Sequence, residues 1–140
     1  MKKIIYLLFL FLLTACTSAK EISQQIETNN KNPNIIVYYF HTTQRCSSCI
    51  KIEKYTKEAL QESFAKEIEK GIIELKVLNT DEKPNKHYIK DYNLYTKSII
   101  ISVLSKGKET KWGNLEKIWF YLNDEKEFKN YIKTEIKKNI

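Results

Sequence analysis

Cys46-Ser47-Ser48-Cys49 is the stretch of this chain whose residue types and spacing suit a definite chemistry. Two thiols separated by two residues suit thiol–disulfide exchange. The first attacks a partner disulfide as its thiolate, and the second then attacks the mixed disulfide so formed. The flanks supply the placement. Ile35-Ile36-Val37-Tyr38-Tyr39-Phe40 is an apolar, strand-like run just before the pair, and an amphipathic helix pattern over residues 50–70 follows it. A strand-to-helix junction sets the first cysteine at a helix N-terminus, where unpaired N–H groups and a positive partial charge favour a thiolate. Arg45, beside Cys46, adds charge of the same sign and is a candidate for tuning the thiol; the alternative is an arginine that only solvates the loop. Ser47 and Ser48 either donate to the thiolate or cap the helix.

Other uses of the cysteines fit less well. The chain has three, Cys16, Cys46 and Cys49, and two histidines, His41 and His87, so a closed zinc site would need Cys46, Cys49 and both histidines to converge. Ile50, not histidine, follows the second cysteine, which excludes c-type haem attachment. A soft-metal site for Cu(I) or an arsenical, on Cys46 and Cys49 with His41 at the strand end, is the rival from another class. His41 is alternatively a proton shuttle or an ordinary loop residue. The exchange reading needs no metal or organic cofactor.

A second motif lies at the N-terminus. Lys2 and Lys3 precede an apolar stretch over residues 4–13, and the small residues Thr14 and Ala15 then lead to Cys16. Residues 1–15 read as a secretory leader, too short in its apolar part for a membrane span. Leu13-Thr14-Ala15-Cys16 resembles the lipobox of bacterial lipoproteins over all four positions. That resemblance implies a lipid on the Cys16 sulfur, cleavage before Cys16 and acylation of the new amino group. The alternative is an ordinary leader with Cys16 as a free thiol. Lipidation also settles the odd cysteine count, since one thiol goes to lipid and two form the redox pair. Loss of Lys2 and Lys3 leaves 22 basic residues against 17 acidic, so the net charge falls from +7 to +5. Two or three acyl chains hold a protein stably on a membrane where one does not. The expected address is the cell envelope, facing the periplasm from the inner leaflet of an outer membrane where the host has one. Thr17, not aspartate, follows the anchor.

Residues 16–34 are polar and rich in asparagine and glutamine, and read as a flexible tether. Residues 35–140 form one domain with room for one modest core. Within it, Ile52, Thr56, Leu60, Phe64 and Ile68 make the buried row of the first helix, and Gly71 ends it. The spacing predicts strands over residues 72–78, 98–104 and 109–112, the last two joined by a tight turn at Lys106-Gly107. It predicts a short helix over residues 86–92, a helix over 115–122, and a last one starting at Asp124, with Glu127 three residues on and Phe128, Tyr131, Ile132 and Ile136 as its apolar stripe. The lysines of the first helix alternate with Glu53 and Glu58, so they form a solvated face and no nucleic-acid site.

The order β-α-β-α-β-β-α resembles the thioredoxins, and so do local stretches. Val77-Leu78-Asn79-Thr80-Asp81-Glu82-Lys83-Pro84 is similar to the end of that family's second core strand, Tyr92-Asn93-Leu94 stands where it has Tyr-Gly-Ile, and Gly113 matches a glycine after its final strand. The resemblance implies an α/β fold with a central mixed four-stranded sheet flanked by helices. It also implies Cys46 and Cys49 as the catalytic pair, and protein thiols or disulfides as partners. More narrowly, Tyr39-Phe40-His41 and Leu94-Tyr95-Thr96-Lys97-Ser98 resemble small exported thioredoxin-like proteins catalogued as nitrophenyl-compound nitroreductase subunits, although nothing here suggests a flavin site.

Three departures from the thioredoxin pattern bear on the site. Ser98 stands where that family has a cis-proline beside the disulfide, so Thr96-Lys97-Ser98 is the expected substrate-docking loop, with a trans peptide before Ser98. Tyr39 stands at about the place of a buried acid, and Arg45 replaces a tryptophan. The missing proline and buried acid favour the soft-metal alternative and a further one, an accessory subunit whose disulfide only stabilises a docking surface; the expected state is a monomer or such a subunit. Cys16→Ala is expected to abolish fatty-acid labelling of the protein in a bacterial host. Labelling undiminished in that variant would end the lipoprotein reading.

Overall fold

The computed structural model describes residues 34–140. The expected leader, Cys16 and all of the tether but Asn34 lie outside the described residues. No helix among the described residues is long and apolar enough to cross a membrane.

Strand β1 (Ile35–His41) leads through a five-residue loop to helix α1 (Ser47–Glu69), then to β2 (Ile73–Asn79). A 3₁₀ turn (Lys83–Asn85) and the short helix α2 (His87–Asp91) lead to β3 (Ser98–Ser105) and β4 (Lys108–Asn114). A second 3₁₀ turn (Glu116–Ile118) and α3 (Glu125–Lys137) complete the chain. The four strands form one sheet in the order β2-β1-β3-β4. β1 runs parallel to β2 and antiparallel to β3, and β3 runs antiparallel to β4. The parallel pair requires a crossover, which α1 supplies. This is the thioredoxin-like α/β architecture that the element order predicts.

Central position explains why β1 is apolar from Ile35 to Phe40. Ile35, Val37 and Tyr39 face one side of the sheet, in a core shared with Ile52, Leu60 and Phe64 of α1 and Phe128, Ile132 and Ile136 of α3. Ile36, Tyr38 and Phe40 face the other side, with Ile100 and Tyr92. Each fully buried aliphatic or aromatic side chain contributes about 1.5–3 kcal/mol of transfer free energy. Lys129 of α3 bridges to Glu58 and Glu62 of α1 at 2.9 Å and to Glu125 at 2.7 Å, so a charge cluster joins the two helices at the surface. The dihedrals of Phe64 (φ −139°, ψ 24°) interrupt α1, although the side chain remains in the core row.

Turn chemistry closes the elements as expected. Lys106 and Gly107 both have positive φ, 52° and 75°, which fits a two-residue hairpin whose twist matches that of the strands. Asp124 caps α3 by accepting from the Glu127 amide at 3.0 Å. The segment over residues 115–122 differs from expectation. It forms one 3₁₀ turn, because the Leu115 amide still bonds to the Ile99 carbonyl of β3 at 2.9 Å and the chain must reach the Asp124 cap soon after. Ile118 is buried there, while Phe120 is left 82% exposed.

Gly71 sits at φ 67°, its amide bonded to the Ile68 carbonyl and that of Ile72 to the Glu67 carbonyl, both at 2.8 Å. This double-bonded helix end needs a left-handed residue, which costs a side-chain-bearing residue about 1–2 kcal/mol. Gly71→Ala is therefore expected to lower stability by about that amount, read as a lower urea midpoint with unchanged slope.

Candidate active site

The helix begins earlier than residue 50. Its first residue is Ser47, so the whole CxxC stretch forms the opening turn and Cys46 is the N-cap, with extended dihedrals (φ −97°, ψ 171°). The Cys46 sulfur accepts from the Cys49 amide, and the Cys49 sulfur in turn accepts from the Cys46 amide at 3.3 Å. Serine or threonine with glutamate usually makes this reciprocal cap; here two thiols do. Both cysteines are free, with their sulfurs 2.8 Å apart. Cys46 is exposed and Cys49 fully buried, as suits an attacking thiol and a resolving one.

Hydrogen bonding from Cys49, through its thiol and then its amide, holds the Cys46 thiol below its ordinary value. Slight desolvation opposes this, while the Ser48 amide and the charge of Lys97 add to it. Arg45 has another engagement. It is ion-paired with Glu53, and its guanidinium lies 5.9 Å from the centre of the Tyr39 ring. The cationic contribution to the lowering at Cys46 is that of Lys97, smaller than the hydrogen bonds from Cys49. Burial pushes the Glu53 carboxyl up, but hydrogen bonds from Lys57 and Arg45 outweigh it and hold the group below the usual carboxylate range. Glu53 is the site residue that sequence reasoning missed. Its position four residues after Cys49, hence on the same helix face, was the available signal.

Tyr39 is fully buried and donates from its hydroxyl to the Cys49 carbonyl at 2.8 Å. Burial, followed by the nearby Cys49, pushes its phenol well above the ordinary range, so it stays protonated at neutral pH and offers no base. The loop between β1 and α1 is tied to the loop after β2. The Thr43 amide donates to Asp81 at 2.8 Å, Asn79 donates to Thr43 at 3.0 Å, and the Thr80 amide donates to the His41 carbonyl at 2.8 Å. These loops and the approach to β3 line a cleft of about 250 Å³, with His41, Asp81, Tyr95, Thr96 and Lys97 on its walls.

Ser98 is buried at the start of β3, paired with Phe40, and its hydroxyl donates to the Thr96 carbonyl at 2.9 Å. The peptide before it is trans, since no described residue has a cis bond. Thr96 and Lys97 therefore lie on the cleft wall, and Lys97 reaches Cys46 through its charge. His41 turns Nδ1 to the Thr42 carbonyl at 2.9 Å. Among the described residues no group of three or more His, Cys, Asp or Glu is placed to hold a metal ion.

Cys46 is expected to alkylate with a pH midpoint below that of a free thiol, and Cys49 to lag behind it because it is buried. The rate should rise with pH through that lowered midpoint and level off above it. Lys97→Gln is expected to raise the midpoint, and Arg45→Gln to move it less. Stopped-flow alkylation of the three proteins checks this. A larger shift from Arg45→Gln would mean that Arg45, not Lys97, sets the charge at Cys46.

No family model matches the chain and no curated protein matches it. Among solved structures, the chain is similar to a malarial protein at 16% identity, over 76% of this chain and 98% of that one, with a TM-score of 0.47. It is similar to a Fasciola hepatica thioredoxin at 24% identity, over 67% of this chain and 84% of that one, with a TM-score of 0.40. A Thermus thermophilus thioredoxin aligns at 11% identity, over 64% of this chain and 72% of that one, with a TM-score of 0.37. The assignment to a thioredoxin-like fold rests on the chain's own strand order, strand directions and helix crossover.

Proposed function

We propose that the protein is a thiol–disulfide oxidoreductase of a bacterial cell envelope, held at a membrane through lipid on Cys16. One observation carries the chemistry: an exposed Cys46 sulfur caps α1, 2.8 Å from the sulfur of a buried Cys49. The address rests on the leader over residues 1–15 and on the lipobox resemblance at residues 13–16. The narrower likeness to exported thioredoxin-like proteins points to the same compartment and implies no nitro-group chemistry.

With an oxidised partner, the Cys46 thiolate attacks one sulfur of the partner disulfide and expels the other as a thiolate. The Cys49 thiol then attacks the Cys46 sulfur, its proton passing through solvent to the second departing sulfur. The first expelled thiolate takes a proton from solvent, to which Cys46 had lost its own, so the partner ends as a dithiol and this protein as the Cys46–Cys49 disulfide, a net transfer of two electrons and two protons. The same steps run backwards oxidise a partner, and the direction follows from the potential of the pair against that of its partners. The two sulfurs supply the redox chemistry without a cofactor. The cleft beside Lys97 is the proposed seat for a partner segment, with Thr96, Lys97 and Ser98 as its docking loop.

Cys49→Ala is expected to accumulate mixed disulfides between Cys46 and envelope proteins. These appear after acid quenching as reductant-sensitive bands, and they vanish in the Cys46→Ala, Cys49→Ala double variant. A Cys49→Ala protein without such bands, under conditions that trap other envelope oxidoreductases, would refute the reading.

A further inference from the structure

We propose that Tyr39 is the positioning residue for the resolving thiol: its hydroxyl, bonded to the Cys49 carbonyl, holds the opening turn of α1 while Cys46 is occupied by a partner. The inference rests on the oxidoreductase reading and adds a role within it.

The need for such a residue follows from the cap. In the free dithiol form, the Cys46 sulfur holds the opening turn by accepting from the Cys49 amide, with the Ser48 amide also directed at it. Once that sulfur is bonded to a partner, it is a neutral disulfide sulfur and a weaker acceptor. The cap therefore weakens at the stage when the Cys49 sulfur must stay beside its target. Helix ends fray when their first amides lose a partner.

The hydrogen bond from Tyr39 to the Cys49 carbonyl does not pass through the Cys46 sulfur, so it persists through the mixed-disulfide stage. Its donor is also fixed. Tyr39 lies on the central strand, paired with Val77 of β2 on one side and Ile99 of β3 on the other, and is fully buried. A carbonyl oxygen has two lone pairs, so Cys49 accepts from Tyr39 without surrendering its helical bond. Arg45 adds a second restraint. Its guanidinium lies over the Tyr39 ring and is paired with Glu53, one turn beyond Cys49, which ties the loop before the pair to the helix after it.

The test separates two rates in the full chain held in detergent, with glutathione disulfide as the probe. Attack by the Cys46 thiolate forms the mixed disulfide and releases one glutathione thiolate. Attack by Cys49 then forms the Cys46–Cys49 bond and releases the second glutathione as its thiol. Acid quenching and mass spectrometry count each species. In Tyr39→Phe, resolution is expected to slow by about five- to tenfold, the worth of one well-placed hydrogen bond, while mixed-disulfide formation and its pH profile stay unchanged. The ratio of the two rates within one sample is insensitive to any loss of folded molecules, so a less stable variant remains informative. An unchanged ratio, through equal resolution or equal slowing of both steps, would overturn the role of Tyr39 alone. A wild-type protein that never forms the mixed disulfide would overturn the oxidoreductase reading and this role with it.

Discussion

The sulfur of Cys46 occupies the place where a hydroxyl or carboxylate usually ends a helix, and most of the structure serves to keep it there. A thiolate at an N-cap is stabilised only while the amides of the opening turn stay aimed at it. That demands a fixed helix axis, which α1 gains by burying Ile52, Ala59, Leu60 and Phe64 against the sheet and α3. It also demands a fixed approach, which the loop from β1 gains from Asp81, Asn79 and Thr80 across the parallel strand pair. The exposed thiol is thus reactive through backbone groups that cannot rotate away.

Charge around the pair comes from three separate segments. Arg45 and Glu53 largely neutralise each other on the helix side, and Lys97 acts from the approach to β3. The interior below the buried cysteine is neutral, because Tyr39 keeps its proton. The arrangement favours a thiolate at the surface position and places no carboxylate beneath the buried one. In the exchange proposed above, the Cys49 proton would therefore pass to the departing partner or to water, not to an internal base.

The sequence made most of this architecture legible, for identifiable reasons. β1 and the first part of β3 are apolar at nearly every residue because they are covered on both faces, and the row from Ile52 to Phe64 keeps the helical period. The start of α1 was less visible. Ser47 and Ser48 carry no apolar signal, and cysteine is not among the usual capping residues, so the helical pattern was traceable only from about residue 50, although Cys46 was expected at the helix N-terminus. The segment over residues 115–122 misled in the opposite sense. Leu115, Ile118 and Leu122 fall at helical spacing, yet the hydrogen bond from Leu115 to β3 and the demand for a quick turn into α3 overrode it. The pairing of Arg45 with Glu53 follows only once the helix is known to begin at Ser47, since that start brings the loop arginine back over the second turn.

The two faces of the sheet are unequally covered. One carries α1, with 23 residues, and α3, with 13. The other carries α2, five residues long with none buried, laid over the aromatic rings of Tyr38, Phe40 and Tyr92. So short a helix has little cohesion of its own, and segments of this kind open at a fraction of the global unfolding free energy. α2 runs directly into Tyr95, Thr96 and Lys97 on the cleft wall. Under the thiol–disulfide exchange proposed above, two tasks would separate in space: bond exchange on the stiff side, and accommodation of differently shaped partners on the pliant one.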